Sequence, residues 1–192
     1  MPNDSSTGGY LVPSSTAPLE DDALDDFFHD VIVGITGLTD SVVLPRWQPE
    51  PPLLPIGNWV AFGVIGRRSE TFPNVTHTLP GDGTDVLTRN EDLDLLCSFY
   101  GLNCQAYGTL LRDGLSISQN REVLSLANMG LIAVGDLQRA PELVKNKWLP
   151  RADLQFSVRR EIKRTYPVLH LLSANGTITP SEGLERAFTV EP

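Results

Sequence analysis

Cysteine, histidine and long apolar runs are scarce in this chain, and each scarcity excludes something. There are two cysteines, Cys97 and Cys104, in 192 residues. With neither the charged nor the apolar segment of a secretory leader at the N-terminus, they point to synthesis in a reducing cytoplasm and against a disulfide framework. The sequons at Asn74 and Asn175 are then expected to carry no glycan. No apolar run approaches the roughly 20 residues of a bilayer-spanning helix, so no membrane partner is expected. His29 has no second histidine or cysteine at ligand spacing, and the loop around Asp82 and Asp85 lacks the spaced carboxylates and closing glutamate of a calcium loop. Neither a metal nor another cofactor is expected. No phosphate loop or glycine-rich nucleophile turn accompanies either cysteine. An enzyme using Cys97 or Cys104 with His29, His77 or His170 as base is therefore the weakest reading, and no catalytic residue is assigned. Cys97 alternates with Leu93, Leu95 and Phe99 and reads as a small core residue.

What is present is an ordinary globular composition, 41% hydrophobic and 20% charged, on a length that suits one domain. The formal charge of -9 disfavours a surface built wholly for nucleic acid. Its distribution is uneven. Residues 1–30 hold Asp4, Glu20, Asp21, Asp22, Asp25, Asp26 and Asp30 with no Lys or Arg, whereas eight basic residues from Arg139 to Arg164 accompany only Glu142, Asp153 and Glu161. Such a division is matched within one molecule, solvated as two faces, or complementary between copies.

Residues 1–17, rich in Ser, Thr, Gly and Pro, are expected to form a flexible arm. A single α+β domain is expected over residues 18–174, followed by a C-terminal arm at 175–192. Leu24, Phe27, Phe28, Val31, Ile35 and Leu38 recur at helical spacing, with the acidic cluster in the first turns where the helix dipole favours it; this predicts an amphipathic helix ending near Gly37. Five prolines in residues 45–55 exclude a helix and favour an extended strap anchored by Trp47. Residues 58–66 read as a buried strand, and runs at 72–79 and 85–100 flank Pro80-Gly81-Asp82-Gly83 as a hairpin. Asn103 is placed to cap a long amphipathic helix to about Gln119, with Ala106, Tyr107, Leu110, Leu111, Gly114, Leu115, Ile117 and Ser118 toward a sheet. Asn120 then caps a short helix through Met129, and strands follow at 131–134 and 143–149. This order predicts a mostly antiparallel sheet packed against the long amphipathic helix and the N-terminal helix, with extended terminal arms.

Residues 152–166 form the longest alternating run. Leu154, Phe156, Val158, Arg160, Ile162 and Arg164 share one face, and Asp153, Gln155, Ser157, Arg159, Glu161 and Lys163 the other. Arginine is almost never fully buried without a partner, so the strand is expected to leave the core at Arg160 and project toward a neighbouring molecule or a wet channel. Arg159, Arg160, Lys163 and Arg164 are therefore candidate contacts between copies, with residues 20–30 of the neighbour as the acidic counterpart. A grip on nucleic acid is the competing reading of the same four. Trp47, Pro49, Pro51 and Pro52 of the strap complete the candidate inter-subunit set.

Five segments taken together carry a resemblance: Arg46-Trp47-Gln48-Pro49-Glu50-Pro51-Pro52, Leu95-Leu96-Cys97-Ser98-Phe99-Tyr100-Gly101, Leu111-Arg112-Asp113-Gly114-Leu115, Gln119-Asn120-Arg121-Glu122 and Arg164-Thr165-Tyr166-Pro167-Val168. In order and wording they resemble the phage neck terminator family of contractile-tailed bacteriophages, over residues 25–174. The resemblance implies a structural virion protein, made in the host cytoplasm, that forms a ring of six copies at the head-proximal end of the tail. There it would end growth of the tube or sheath and join the tail to the head connector. The implied partners are further copies of the chain, the tail tube or sheath protein, a connector or collar protein, and genomic DNA passing through the channel without sequence-specific binding. A cationic lining would retard sliding DNA, which favours placing the basic residues between copies. Another neck or connector ring protein that contacts DNA is the alternative.

Overall fold

Period-two alternation makes strands of residues 84–100 and 151–166, the two longest in the chain's main sheet. The computed structural model describes residues 3–50, 52–79, 81–144, 146–178 and 186–190. In chain order it contains α1 (Asp21–Thr36), β1 (Val43–Pro45), β2 (Trp59–Ser69), β3 (Asn74–Thr78), β4 (Thr84–Tyr100), α2 (Cys104–Ser116), α3 (Glu122–Leu126), β5 (Met129–Val134), β6 (Gln138–Arg139), β7 (Glu142–Val144), β8 (Lys147–Leu149), β9 (Arg151–Tyr166), β10 (Ala174–Ile178) and β11 (Arg186–Val190). Single turns of 3-10 helix lie at Asp40–Val42 and Gln119–Arg121. The content is mixed α and β with strands predominating, consistent with an α+β fold.

The residues gather into two compact units. The larger comprises Pro18–Phe72 and Arg89–Ile162; the smaller draws on the described residues of 1–17, 73–88 and 163–192. In the larger unit the sheet order is β1-β2-β4-β9-β5, with β6 also on β9. β1 runs parallel to β2, while β2 pairs antiparallel with β4, and β5 with β9. Asp94 meets Ser157, Asp92 meets Arg159 and Glu91 meets Arg160, numbers that rise on β4 as they fall on β9, so this central pair is antiparallel too. One face of the sheet is apolar: Val60 and Phe62, then Leu93, Leu95, Cys97 and Phe99, then Leu154, Phe156 and Val158 are all buried. Leu24, Phe28, Val31 and Ile32 of α1, Leu111 and Leu115 of α2 and Leu124 of α3 close over it. Each such side chain contributes about 1.5–3 kcal/mol on leaving water.

The N-terminal helix ends where its pattern predicts, at Gly37, whose φ of 68° needs a residue without a Cβ. The second helix differs from expectation. It spans 13 residues, shorter than the 16 of α1. Asn103 holds the cap position but its side chain makes no capping bond, and Asn120 donates to the Gly114 carbonyl, closing α2 instead of opening α3. The buried stripe of α2 is Cys104, Gly108, Leu111 and Leu115, whereas Leu110 and Ile117 stay half in solvent. Gly108 is drawn in because Leu137 occupies the space a Cβ would take, which rotates the stripe away from Leu110.

Residues 143–149, read as one strand, are two. Among the described residues β7 and β8 pair only with each other, turning through Asn146 at φ 61°. In the smaller unit β3 pairs with the start of β4 as the predicted hairpin. The two arms are less loose than their composition suggests. Ser5 and Ser14 donate backbone N–H groups to the carbonyls of Pro167 and Thr165, and β10 and β11 form an antiparallel hairpin. Residues 179–185 and 191–192 of the expected C-terminal arm lie outside the described residues.

Candidate inter-subunit surface

Arg160 is the first correction. It stays in phase with Leu154, Phe156 and Val158 and remains inside, 2% exposed, with Ile162 buried beyond it. The strand does not leave the core at this point, because the guanidinium finds its partners in its own chain. Nε donates to Glu91 Oε2 at 2.7 Å, Nη1 to the Leu19 carbonyl at 2.5 Å and Nη2 to Glu20 Oε1 at 2.7 Å. Arg67 reaches Glu20 Oε2 at 2.8 Å, and Ser69 donates to Glu91 at 2.7 Å. Burial pushes the Glu91 carboxyl up, but the hydrogen bonds from Ser69 and Arg160, with the charges of Arg160 and Arg67, outweigh it and hold the group below the usual range. The cluster ties the start of α1 to the middle of the sheet. Glu20, the N-cap residue, spends its carboxylate on the arginines and makes no capping bond.

The opposite face of the same strands carries a second set of pairs. Arg159 forks onto Asp92 at 2.7 and 3.2 Å, and Arg68 forks onto Asp94, which also accepts from Ser157 at 2.5 Å. Hydrogen bonds from Ser157 and Arg68 hold Asp94 low, and the bond from Arg159 does the same for Asp92. Of the four basic candidates, Arg159 is thus exposed but paired, and Arg160 is buried and committed within the chain. Lys163 is exposed and Arg164 half-buried, both in the smaller unit.

The strap behaves differently. β1 hands over to Arg46, whose N–H donates to the Phe62 carbonyl and whose Nη2 reaches Ser98 Oγ at 2.5 Å, while its buried Nε has no hydrogen-bond partner among the described residues. Trp47 follows at φ 59°, a left-handed conformation uncommon outside glycine. Its ring lies over Gly63, where an added Cβ would sit 2.8 Å from Cζ3. The anchor is therefore only half made, since Trp47 remains 71% exposed. Beyond it Leu53, Leu54 and Ile56 are 96, 67 and 102% exposed. Pro49 and Pro52 are exposed, and Pro51 lies outside the described residues.

Chemistry of other kinds finds little support in the geometry. Cys97 is fully buried and its thiol is pushed up to about 12 by that burial, with Arg46 opposing the shift weakly, so a nucleophilic thiolate is suppressed there. His29 is engaged by Asp30 and the Asp40 carbonyl, and His77 by Asp85 at 2.7 Å. Among the described residues no group of three or more His, Cys, Asp or Glu is placed to hold a metal ion. No helix of the described residues is long and apolar enough to cross a membrane.

The residue that sequence reasoning missed is Glu91, whereas Glu20 belongs to the acidic stretch expected to answer the arginines of β9 and does so, at Arg160, within the chain instead of from a neighbour. Glu91 sits in phase with Leu93, Leu95 and Cys97, as Arg160 does with its own strand, and two opposite charges each lodged in an apolar face were a signal that one answers the other. Against known proteins, the family model described as phage neck terminator protein matches residues 22–182. No curated protein matches the chain.

Proposed function

Since this chain belongs to the phage neck terminator family and so has a structural role in the virion neck or tail, we propose that it acts there as a ring of identical copies. By the family's implication the copies number six. The ring ends growth of the tail tube or sheath at its head-proximal end and joins the tail to the connector or collar, with genomic DNA passing through without sequence-specific contact.

The observation that carries the self-assembly reading is the strap. Trp47, Leu53, Leu54 and Ile56 leave a run of large apolar side chains in water, and contiguous exposed apolar surface of this kind marks a protein contact. The basic strand supports a contact with protein over one with DNA, because Arg159 and Arg160 already hold carboxylates and have less charge to offer phosphate. In this reading Trp47, Pro49, Pro51 and Pro52 carry the contact, with Lys163 and Arg164 as further candidates and Arg160 withdrawn.

Native mass spectrometry of the full chain, alone and in neck-containing particles, tests the proposal. One closed oligomer is expected. Trp47→Ala is expected to weaken it while circular dichroism of the monomer is unchanged, since truncating a large anchor at an interface costs about 2 kcal/mol or more. A chain that is a single copy in particles overturns the ring, and a monomer that melts on Trp47→Ala assigns Trp47 to its own fold.

A further inference from the structure

Besides the strap, two apolar features of the larger unit are uncovered, and they match one another. One is a groove of about 540 Å³ on the outer side of α2, lined by Ile35, Ala106, Leu110, Gly114 and Ile117 with Asp113 beside them. Leu110 and Ile117, both expected to face the sheet, are 50 and 56% exposed there. The other is the β7–β8 hairpin. Among the described residues it pairs with no other strand, and its register sets Leu143 directly opposite Trp148, 57 and 68% exposed. An isolated two-stranded hairpin is marginal in water, yet this one displays a tryptophan and a leucine side by side. Tryptophan is enriched at the centres of protein interfaces.

Charge gives the direction of the match. The groove is acidic at its rim, where Asp113 is exposed. Arg112, the nearby cation, is answered by Asp136 at 3.5 Å. On the hairpin Lys147 is exposed beside Trp148, while Arg151 is forked onto Asp153 at 2.8 Å and also stands 3.6 Å from Glu142.

We infer that the groove between the end of α1 and the outer side of α2 receives the Leu143–Trp148 face of the β7–β8 hairpin of a second copy of this chain. This rests on the ring reading above and adds a second contact to that of the strap. Because the donor and acceptor patches differ, each copy gives one contact and receives one. Such a heterologous interface closes into a ring when its rotation permits. The acidic rim and Lys147 orient the approach, and Trp148 fills the apolar floor.

Full-length Leu110→Cys and Trp148→Cys variants, mixed and oxidised in assembled particles, test the inference. A disulfide-linked dimer is expected from the mixture and from neither variant alone, and the double variant should give a ladder of multimers. Trp148→Ala should weaken each contact by about 30-fold, the equivalent of roughly 2 kcal/mol at an aromatic anchor. Lys147→Glu should weaken assembly, and Asp113→Lys should partly restore it. If the oligomer forms but the mixed dimer is missing, or Leu110→Cys links to itself or to a different neck protein, this docking is wrong and the ring stands. If particles hold a single copy, both fall.

Discussion

Replacing Arg160 by Met, with Glu91 left in place, removes every donor that the guanidinium supplies and leaves a carboxylate 5% exposed among apolar neighbours. Glu91 keeps Ser69 at 2.7 Å, and Arg67 stands 4.0 Å away, neither a substitute for the lost bonds. The Leu19 carbonyl loses its donor as well. Breaking a buried pair from one side costs about 3–5 kcal/mol, a large part of the roughly 5–15 kcal/mol that holds a domain folded. With a urea slope of about 2 kcal/mol per molar, the unfolding midpoint should fall by about 1.5–2.5 M. All three tryptophans, Trp47, Trp59 and Trp148, lie in the larger unit, so their fluorescence follows the unit that contains Arg160. Removing the other charge too, as Arg160→Met with Glu91→Leu, should recover most of the loss, because no buried ion is then left alone. Glu20→Gln should cost less than either single change, since Glu20 is 31% exposed and water can reach it. A midpoint shift below about 0.5 M for Arg160→Met, or a double variant no better than the single, would refute this account of the cluster.

Three further outcomes are expected. Glu91, Asp92 and Asp94 are all held below the usual carboxylate range, so the unfolded chain binds more protons as acid is added; stability should be fully present at neutral pH and fall as pH drops through and below that range, whereas maximal stability under acid would contradict the pairing. Cys97 should react with a thiol reagent only as fast as the chain unfolds, and Cys97→Ser with Cys104→Ser should leave assembly intact; fast labelling of Cys97 in the folded protein would show that the burial is not as described. Gly101→Ala should destabilise more than Gly63→Ala, because at φ 102° its Cβ meets the Gly57 carbonyl oxygen at 2.5 Å, while the Cβ at Gly63 meets a Trp47 ring that can swing into solvent; comparable melting temperatures for the two variants would count against this.

Local pattern carried much of the fold. The spacing of Leu24, Phe28 and Val31 located α1, alternation located β4 and β9 with the correct inward face, and Gly81-Asp82-Gly83 lies at the turn of the β3–β4 hairpin. Failures arose where a residue's environment was set by something distant in sequence. Arg160 looked like an exit from the core because its partner is 69 residues away. The wheel of α2 could not foresee Leu137 pressing on Gly108, and so assigned Leu110 to the inside. Residues 3–17 looked unable to order themselves, and alone they lack the apolar content to do so; their bonds run to residues 165–169, which composition does not register. For the candidate surface, the strap was legible through its prolines and tryptophan. The β7–β8 hairpin was not, because Asn146 adopts φ 61° in a short run that reads equally well as one strand.

The pairing of β4 with β9 also poses a question of uniqueness. Apolar residues recur at every second place on both strands, so sliding one past the other by two places keeps Leu93, Leu95, Leu154 and Phe156 pointing inward at little hydrophobic loss. The charges do not tolerate it. In one direction Glu91 would lie opposite Val158 and Arg160 opposite Arg89; in the other, Glu91 would meet Ile162 and Arg160 would meet Leu93. Either slide leaves ions in hydrocarbon at a cost of several kcal/mol. A variant with Met and Leu at these two positions should show a second, minor set of amide resonances along β9, because only the Arg159–Asp92 and Ser157–Asp94 contacts are then left to choose the pairing. Among pairings that greasy side chains alone would leave degenerate, the ions single out one.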